Sequence, residues 1–250
     1  MSIFTNLFNK SQSNVLGAES APETPHAISL EKSVINLDKS IVNLSKSVGY
    51  DFSALKSRVK LVIDFSGSMR SMYTSGKVQD VITRLLPLAL KFDDDGDLDC
   101  YLFSNGYKKV NPCTKSNYKN FVAKELQETS ELYMGGTKYA PVLKAVHSEV
   151  TTDIPDFIIF ITDGDNSDKP ETNDIIRKMS KDNCFVIFVG IGNENFDYLS
   201  KLDNLSGRPI DNTGFVKCAD LERVSDDDLY SYLLSEYASW LKNPKRSRGA

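Results

Sequence analysis

Histidine is almost absent: His26 and His147 are the only two in 250 residues. Structural and catalytic zinc sites draw most of their ligands from histidine and cysteine, so two distant histidines argue against one. Four cysteines occur, Cys100, Cys113, Cys184 and Cys218, but no two form a CxxC pair. They read as reduced, mostly buried thiols and predict a cytoplasmic protein. No apolar run approaches the roughly 20 residues of a membrane span. The opening MSIFTNLFNKSQSN has too short an apolar core and no clear cleavage site for a signal peptide. A formal net charge of −4 gives no general attraction to nucleic acid or to an anionic membrane.

What is present divides the chain. Residues 1–27 are polar and mix Ser, Asn, Pro and Glu, which predicts a flexible leader. Residues 28–55 form an accessory segment. It holds an imperfect seven-residue repeat, EKSVINL, DKSIVNL, SKSVGYD, that sets Val34, Leu37, Ile41, Leu44 and Val48 at spacings of three and four. That spacing suits one helix face, although the Ser, Val, Ile and Asn content suits a strand or loop as much. Residues 56–243 form the main domain, and 244–250 a basic, frayed tail.

Within 56–243, strands are expected at Arg58–Asp64, Leu98–Ser104, Phe157–Thr162, Phe185–Ile191 and Gly214–Lys217, with Lys108–Asn111 as an edge strand. Helices are expected at Val78–Phe92 (with Pro87 a point for a kink), Tyr118–Thr129, Pro141–Val150, Asp174–Lys181, Phe196–Leu205 and Asp226–Leu241. FIIFIT and FVIFVGI are apolar throughout, as strands buried on both faces are. Alternating with helices, they predict an α/β fold with a doubly wound, mostly parallel central sheet.

In such sheets ligands bind outside the carboxyl ends of the strands. Asp64 ends the first core strand in LVIDFSGS, and Asp163 follows the FIIFIT strand. Both carboxylates are expected in one crevice. Ser66 and Ser68 lie on the loop after Asp64, where Gly67 allows a tight turn. Thr137 in MGGTKY supplies a fifth oxygen, with Gly135 and Gly136 permitting close approach. Two carboxylates and three hydroxyls, without nitrogen or sulfur, select Mg²⁺, Mn²⁺ or Ca²⁺. The two carboxylates neutralise a divalent ion. An open coordination position then accepts a carboxylate from a protein partner.

DFSGSM, GGT and FIIFITDG, in this order, resemble the metal-ion-dependent adhesion site (MIDAS) of von Willebrand factor A (VWA) domains over roughly residues 56–243. The resemblance implies that Asp64, Ser66, Ser68, Thr137 and Asp163 hold the ion directly or through water. LALKFDDDGDLDCYLFS and ISLEKSVINLDKSIVNLSKS are closer to the TerF-like branch of the tellurium-resistance and stress-response group. The upstream L-x-K repeats are similar to the opening of TerD-type domains, although too few residues precede Asp64 for a complete one. The resemblance implies a non-enzymatic, metal-dependent adaptor, with TerD-like proteins as candidate partners.

The alternative is a Mg²⁺-dependent phosphohydrolase or phosphotransferase. A dehalogenase-type phosphatase carries DxD, but here the second acid is replaced by Ser66. A serine nucleophile needs a base within reach, and His147 reads as an ordinary helix residue. GIGNEN has two of the three glycines of a dinucleotide fingerprint. DDDGDLD fails as an EF-hand, since positions six and twelve from Asp93 are Leu98 and Ser104. Asp165 and Asp168 are expected near the ion. Tyr73, Tyr133 and Tyr139 flank the motif loops, either lining a rim or packing beneath it.

Overall fold

The computed structural model describes residues 28–127, 133–219 and 223–246. The expected leader lies outside the described residues, as do 247–250 of the expected tail.

Six strands form one sheet in the order β3-β2-β1-β4-β5-β6. They are β1 (Arg58–Asp64), β2 (Asp99–Phe103), β3 (Tyr107–Lys109), β4 (Asp156–Thr162), β5 (Cys184–Ile191) and β6 (Thr213–Cys218). All neighbours pair parallel except β2 and β3. The chain winds outward from β1 through β2 to β3, then crosses back to lay β4 on the other side of β1. β1 and β4 therefore flank the point where the winding reverses, and a crevice opens there at their carboxyl ends.

Alternation along β1 feeds two cores. Val59, Leu61 and Ile63 pack on the face covered by α3 (Lys77–Phe92) and α7 (Asp226–Leu241). Val62 faces the other way, with Ile158 and Phe160, onto α4 (Ala140–Ser148) and α5 (Lys169–Met179). α2 (Arg70–Thr74) leads into α3, and α6 (Asp197–Asp203) precedes β6.

The accessory segment resolves to a helix, α1 (Leu30–Val48), packed against α7 and α3. Ser29 caps its start by accepting from Lys32 N, and Gly49 ends it at φ 64°, the left-handed cap that glycine adopts without penalty. Leu30, Leu37, Ile41 and Leu44 are buried; each such side chain contributes about 1.5–3 kcal/mol. Polar ties add register: Asn36 Nδ2 donates to Asp226 Oδ2 (2.8 Å) and Ser40 Oγ to Asp227 Oδ1 (2.7 Å).

Pro87 lies inside a helix that runs from Lys77 to Phe92. Three local expectations are corrected. The helix expected over Tyr118–Thr129 is a 3₁₀ turn (Tyr118–Asn120) followed by a π-helical turn (Val122–Gln127). Gln79 from α3 reaches into it, accepting from Val122 N and donating to Tyr118 O. α5 begins at Lys169, five residues before the expected Asp174, with Pro170 in its first turn, where a missing N–H costs nothing. In the basic tail Arg246 is anchored: it donates to Asn183 Oδ1 and stacks on Trp240 at 4.2 Å.

Candidate metal centre

Asp64 closes β1 with its carboxylate buried. One oxygen accepts from Ser66 N at 2.8 Å, the other from Thr162 Oγ1 at 2.7 Å. Burial pushes this carboxyl up to about 6; the Ser66 and Thr162 hydrogen bonds oppose the rise and Asp163 adds to it. A carboxylate kept charged so far from water is stabilised by a cation.

Ser66 Oγ lies 3.0 Å from Ser68 Oγ, and Ser68 Oγ donates to Asp163 Oδ1 at 2.9 Å. Asp163 is partly buried, and its carboxyl is likewise raised, chiefly by desolvation and against the Ser68 bond. Four of the five expected side chains thus stand in one connected group. Thr137 has no hydrogen bond to that group; its loop is tied in by neighbouring backbone contacts. The loop after β1 bridges the glycine loop, Gly67 N donating to Gly135 O at 3.1 Å. Ser167 N donates to Thr137 O at 3.0 Å from the β4–α5 side. Among the described residues the Thr137 hydroxyl has no hydrogen-bond partner, which leaves its lone pairs uncommitted.

The glycines act differently from expectation. Gly67 has no positive φ, and a side chain there would meet nothing nearer than 4.0 Å. The β1 turn therefore does not demand glycine. At Gly136 a Cβ would fall 2.8 Å from Asn105 Oδ1, within the β2–β3 turn, so the exposed Asn105 side chain would have to move.

Several supporting residues escape motif reading. Thr162 orients Asp64, and Tyr73 donates its hydroxyl to the Asp64 carbonyl at 3.0 Å. Asp168 is buried and accepts from Tyr139 N and Ala140 N at the start of α4. It therefore caps a helix, while Asp165 pairs with Lys169. The signal for Asp168 was its position in DGDNSD; what it lacked was the knowledge that α4 begins beside it. Tyr73 and Tyr139 are buried beneath the loops, Tyr139 donating to Gly164 O, whereas Tyr133 is 83 % exposed. Ser68, Asp163 and Gly164 line a cleft of about 460 Å³. His147 Nε2 lies 2.7 Å from Asp182 Oδ2, near the end of α4 away from Thr137.

Residues 56–250 match the family model for the von Willebrand factor A domain found in the TerF C terminus. The chain belongs to this VWA family. It is 41 % identical over 194 residues to the uncharacterized protein YcbR of Bacillus subtilis (strain 168), covering 76 % of this chain and 79 % of that one. The fold is similar to the conserved hypothetical protein BatB from Bacteroides thetaiotaomicron (TM-score 0.53, 17 % identity, 73 % of this chain and 99 % of that chain). It is also similar to proximal thread matrix protein 1 from the mussel byssus (TM-score 0.50, 18 % identity, 75 % and 48 %). Those two likenesses concern the fold. The VWA sheet delivers Asp64 and Asp163 to its reversal point, as the doubly wound reading expected. Among the described residues no helix is long and apolar enough to cross a membrane.

Proposed function

We propose that this VWA protein is a non-enzymatic, metal-dependent interaction module acting as a cytoplasmic adaptor in a tellurite-resistance or stress-response system. Its ion, Mg²⁺ with Mn²⁺ or Ca²⁺ as substitutes, is held by Asp64, Ser66, Ser68, Thr137 and Asp163. The donor set fits: all oxygen, two carboxylates to balance the charge, and hydroxyls that add none. The bound ion supplies a Lewis-acid coordination point. The chain's own residues orient the donors: Thr162 and Ser66 N fix Asp64, Ser68 fixes Asp163, and the Gly67–Gly135 bridge holds the Thr137 loop.

The observation that carries this reading is the connected group Asp64, Ser66, Ser68 and Asp163 at the edge of an open cleft. A carboxylate from a partner protein completes such a site, and TerD-like proteins are the candidate partners. The hydrolytic alternative has less support, because Ser66 occupies the place of a second acid and His147 is engaged with Asp182. The four free, buried cysteines accord with a reducing compartment. We further assign residues 28–55 as an accessory element distinct from the VWA domain at 56–243, with 1–27 and 244–250 as terminal extensions.

Pulldown by the full chain with Mg²⁺, with EDTA and for Ser68→Ala tests the reading. Capture only by the Mg²⁺-loaded wild type supports it. Equal capture in all three, by folded protein, contradicts it.

A further inference from the structure

β4 and β5 are sheet neighbours, with Thr162 paired to Gly190, so the loops that follow them leave the sheet side by side. The first loop carries Asp163 and the second Glu194, and both residues line the cleft at the metal centre. Gly192 turns the second loop at φ 100°, a conformation that glycine adopts without steric penalty. β6 then holds the loop. Gly192 N donates to Cys218 O at 3.0 Å, and Lys217 Nζ donates to Glu194 O at 2.8 Å while lying 5.5 Å from the centre of the Phe196 ring.

The Lys217 ammonium is thus committed to the Glu194 carbonyl. Among the described residues the exposed Glu194 carboxylate has no hydrogen bond or ion pair of its own. The other charges that line the cleft are balanced or engaged. Lys77 and Asp80, three residues apart on α3, bring one of each sign. Arg84 donates to Asp226 Oδ1 and to Val224 O, both at 2.6 Å. Asp163 belongs to the metal centre. Glu194 is left as negative charge in excess, near enough to Asp163 to add to the burial that raises its carboxyl. An acidic segment approaching the ion would therefore meet repulsion from Glu194, unless it brings a positive charge as well. Met72, Val81 and Ile191 give the same cleft an apolar wall. The methylene stem of a lysine or arginine lies on such a surface while its charged head stays in water.

We infer that Glu194 determines which partner this site accepts: a protein segment that places a carboxylate on the ion and, close by in its own sequence, a lysine or arginine against Glu194. The inference rests on the metal reading above. It gives the partner a charge pattern, one acid accompanied by one base, and disfavours a purely acidic segment.

The test loads the full chain, wild type and Glu194→Gln, with Mn²⁺ and follows water-proton relaxation, which reads both the bound ion and the loss of its water to a carboxylate. The probes are short acetylated peptides in which an aspartate is followed by an arginine, directly or after one or two glycines. Their twins carry citrulline, the neutral isostere of arginine. The wild type is expected to bind the best arginine peptide about fivefold more tightly than its twin, the upper end for an exposed ion pair. Glu194→Gln is expected to bind the two alike while holding Mn²⁺ as the wild type does. Equal affinity of the wild type for both peptides, binding of neither, or a preference that survives in Glu194→Gln overturns the inference and leaves the metal site standing. A loss of Mn²⁺ affinity of about tenfold or more in Glu194→Gln also overturns it, because Glu194 would then serve the ion itself. A wild type that binds no Mn²⁺ overturns the metal reading and this inference together.

Discussion

Ser68 Oγ donates to Asp163 Oδ1 at 2.9 Å, joining the loop after β1 to the loop after β4 across 95 residues of sequence. The contact exists because β1 and β4 are sheet neighbours, with Ile63 paired to Ile161. Two loops that begin on adjacent parallel strands need only a few residues each to meet.

Thr162 is the residue that aims the Asp64 carboxylate. Thr162→Val keeps the shape and deletes the hydroxyl bonded to Asp64 Oδ2. Metal affinity is expected to fall by about 10–100-fold, the usual effect of losing a group that orients a ligand. Calorimetry with Mn²⁺ measures it, and wild-type affinity would show that Thr162 does not position the site.

Asp156 lies at the opposite end of the sheet, where Lys60 Nζ meets its Oδ2 at 2.7 Å and Arg58 Nε its Oδ1 at 2.6 Å. Lys60 is almost fully buried. Asp156→Asn leaves that ammonium only the more distant Glu149 Oε2, at 3.8 Å, and is expected to cost about 3 kcal/mol. Denaturant unfolding reads the loss. Metal affinity of the folded variant should match the wild type, since β1 and β4 separate the two ends.

Leu37, at the centre of the buried face of α1, is 1 % exposed. Leu37→Ala should destabilise the protein by about 2–5 kcal/mol. The wild type should resist limited proteolysis through 28–55 as long as the VWA domain is folded. Early cleavage within α1, or a substitution with no cost, would show that the helix is not docked in solution.

Asp203 gives the stability a pH dependence. Burial pushes its carboxyl up to about 7, with Asp211 and Glu236 adding repulsion and Arg208 opposing it. An aspartate in the unfolded chain titrates near ~3.9. Between roughly pH 4 and 7 the folded state holds a proton that the unfolded state has released, so this group's contribution falls as pH rises through that window and is level above it. Asp203→Asn should remove the loss: more stable than wild type at pH 8, little different at pH 4. Parallel stability curves for the two proteins would contradict the assignment.

The parallel strands were legible because FIIFIT and FVIFVGI carry their burial in composition alone. Asp64 and Asp163 were legible because each follows such a run. Their neighbours were harder. Asp168 reads as one more acid in DGDNSD until α4 is known to start beside it and to need a cap at Tyr139 N and Ala140 N. The π-helical turn at Val122–Gln127 is framed by Gln79, 43 residues upstream of Val122, which no local pattern reveals. In α1 the propensities of Ser, Val and Ile conflicted with the heptad spacing. Capping by Ser29 and Gly49 and the buried face against α3 and α7 decided for helix.

The central claim is that these five residues hold a divalent ion. Titration calorimetry of Mg²⁺ and Mn²⁺ into the full chain, wild type and Asp163→Asn, tests it most directly. The account predicts one ion per wild-type chain, and for Asp163→Asn a loss of at least about a hundredfold, on the scale of removing one member of a desolvated charge pair, with the metal-free melting temperature not lowered. No binding by the wild type, or equal affinity in the folded variant, would contradict it.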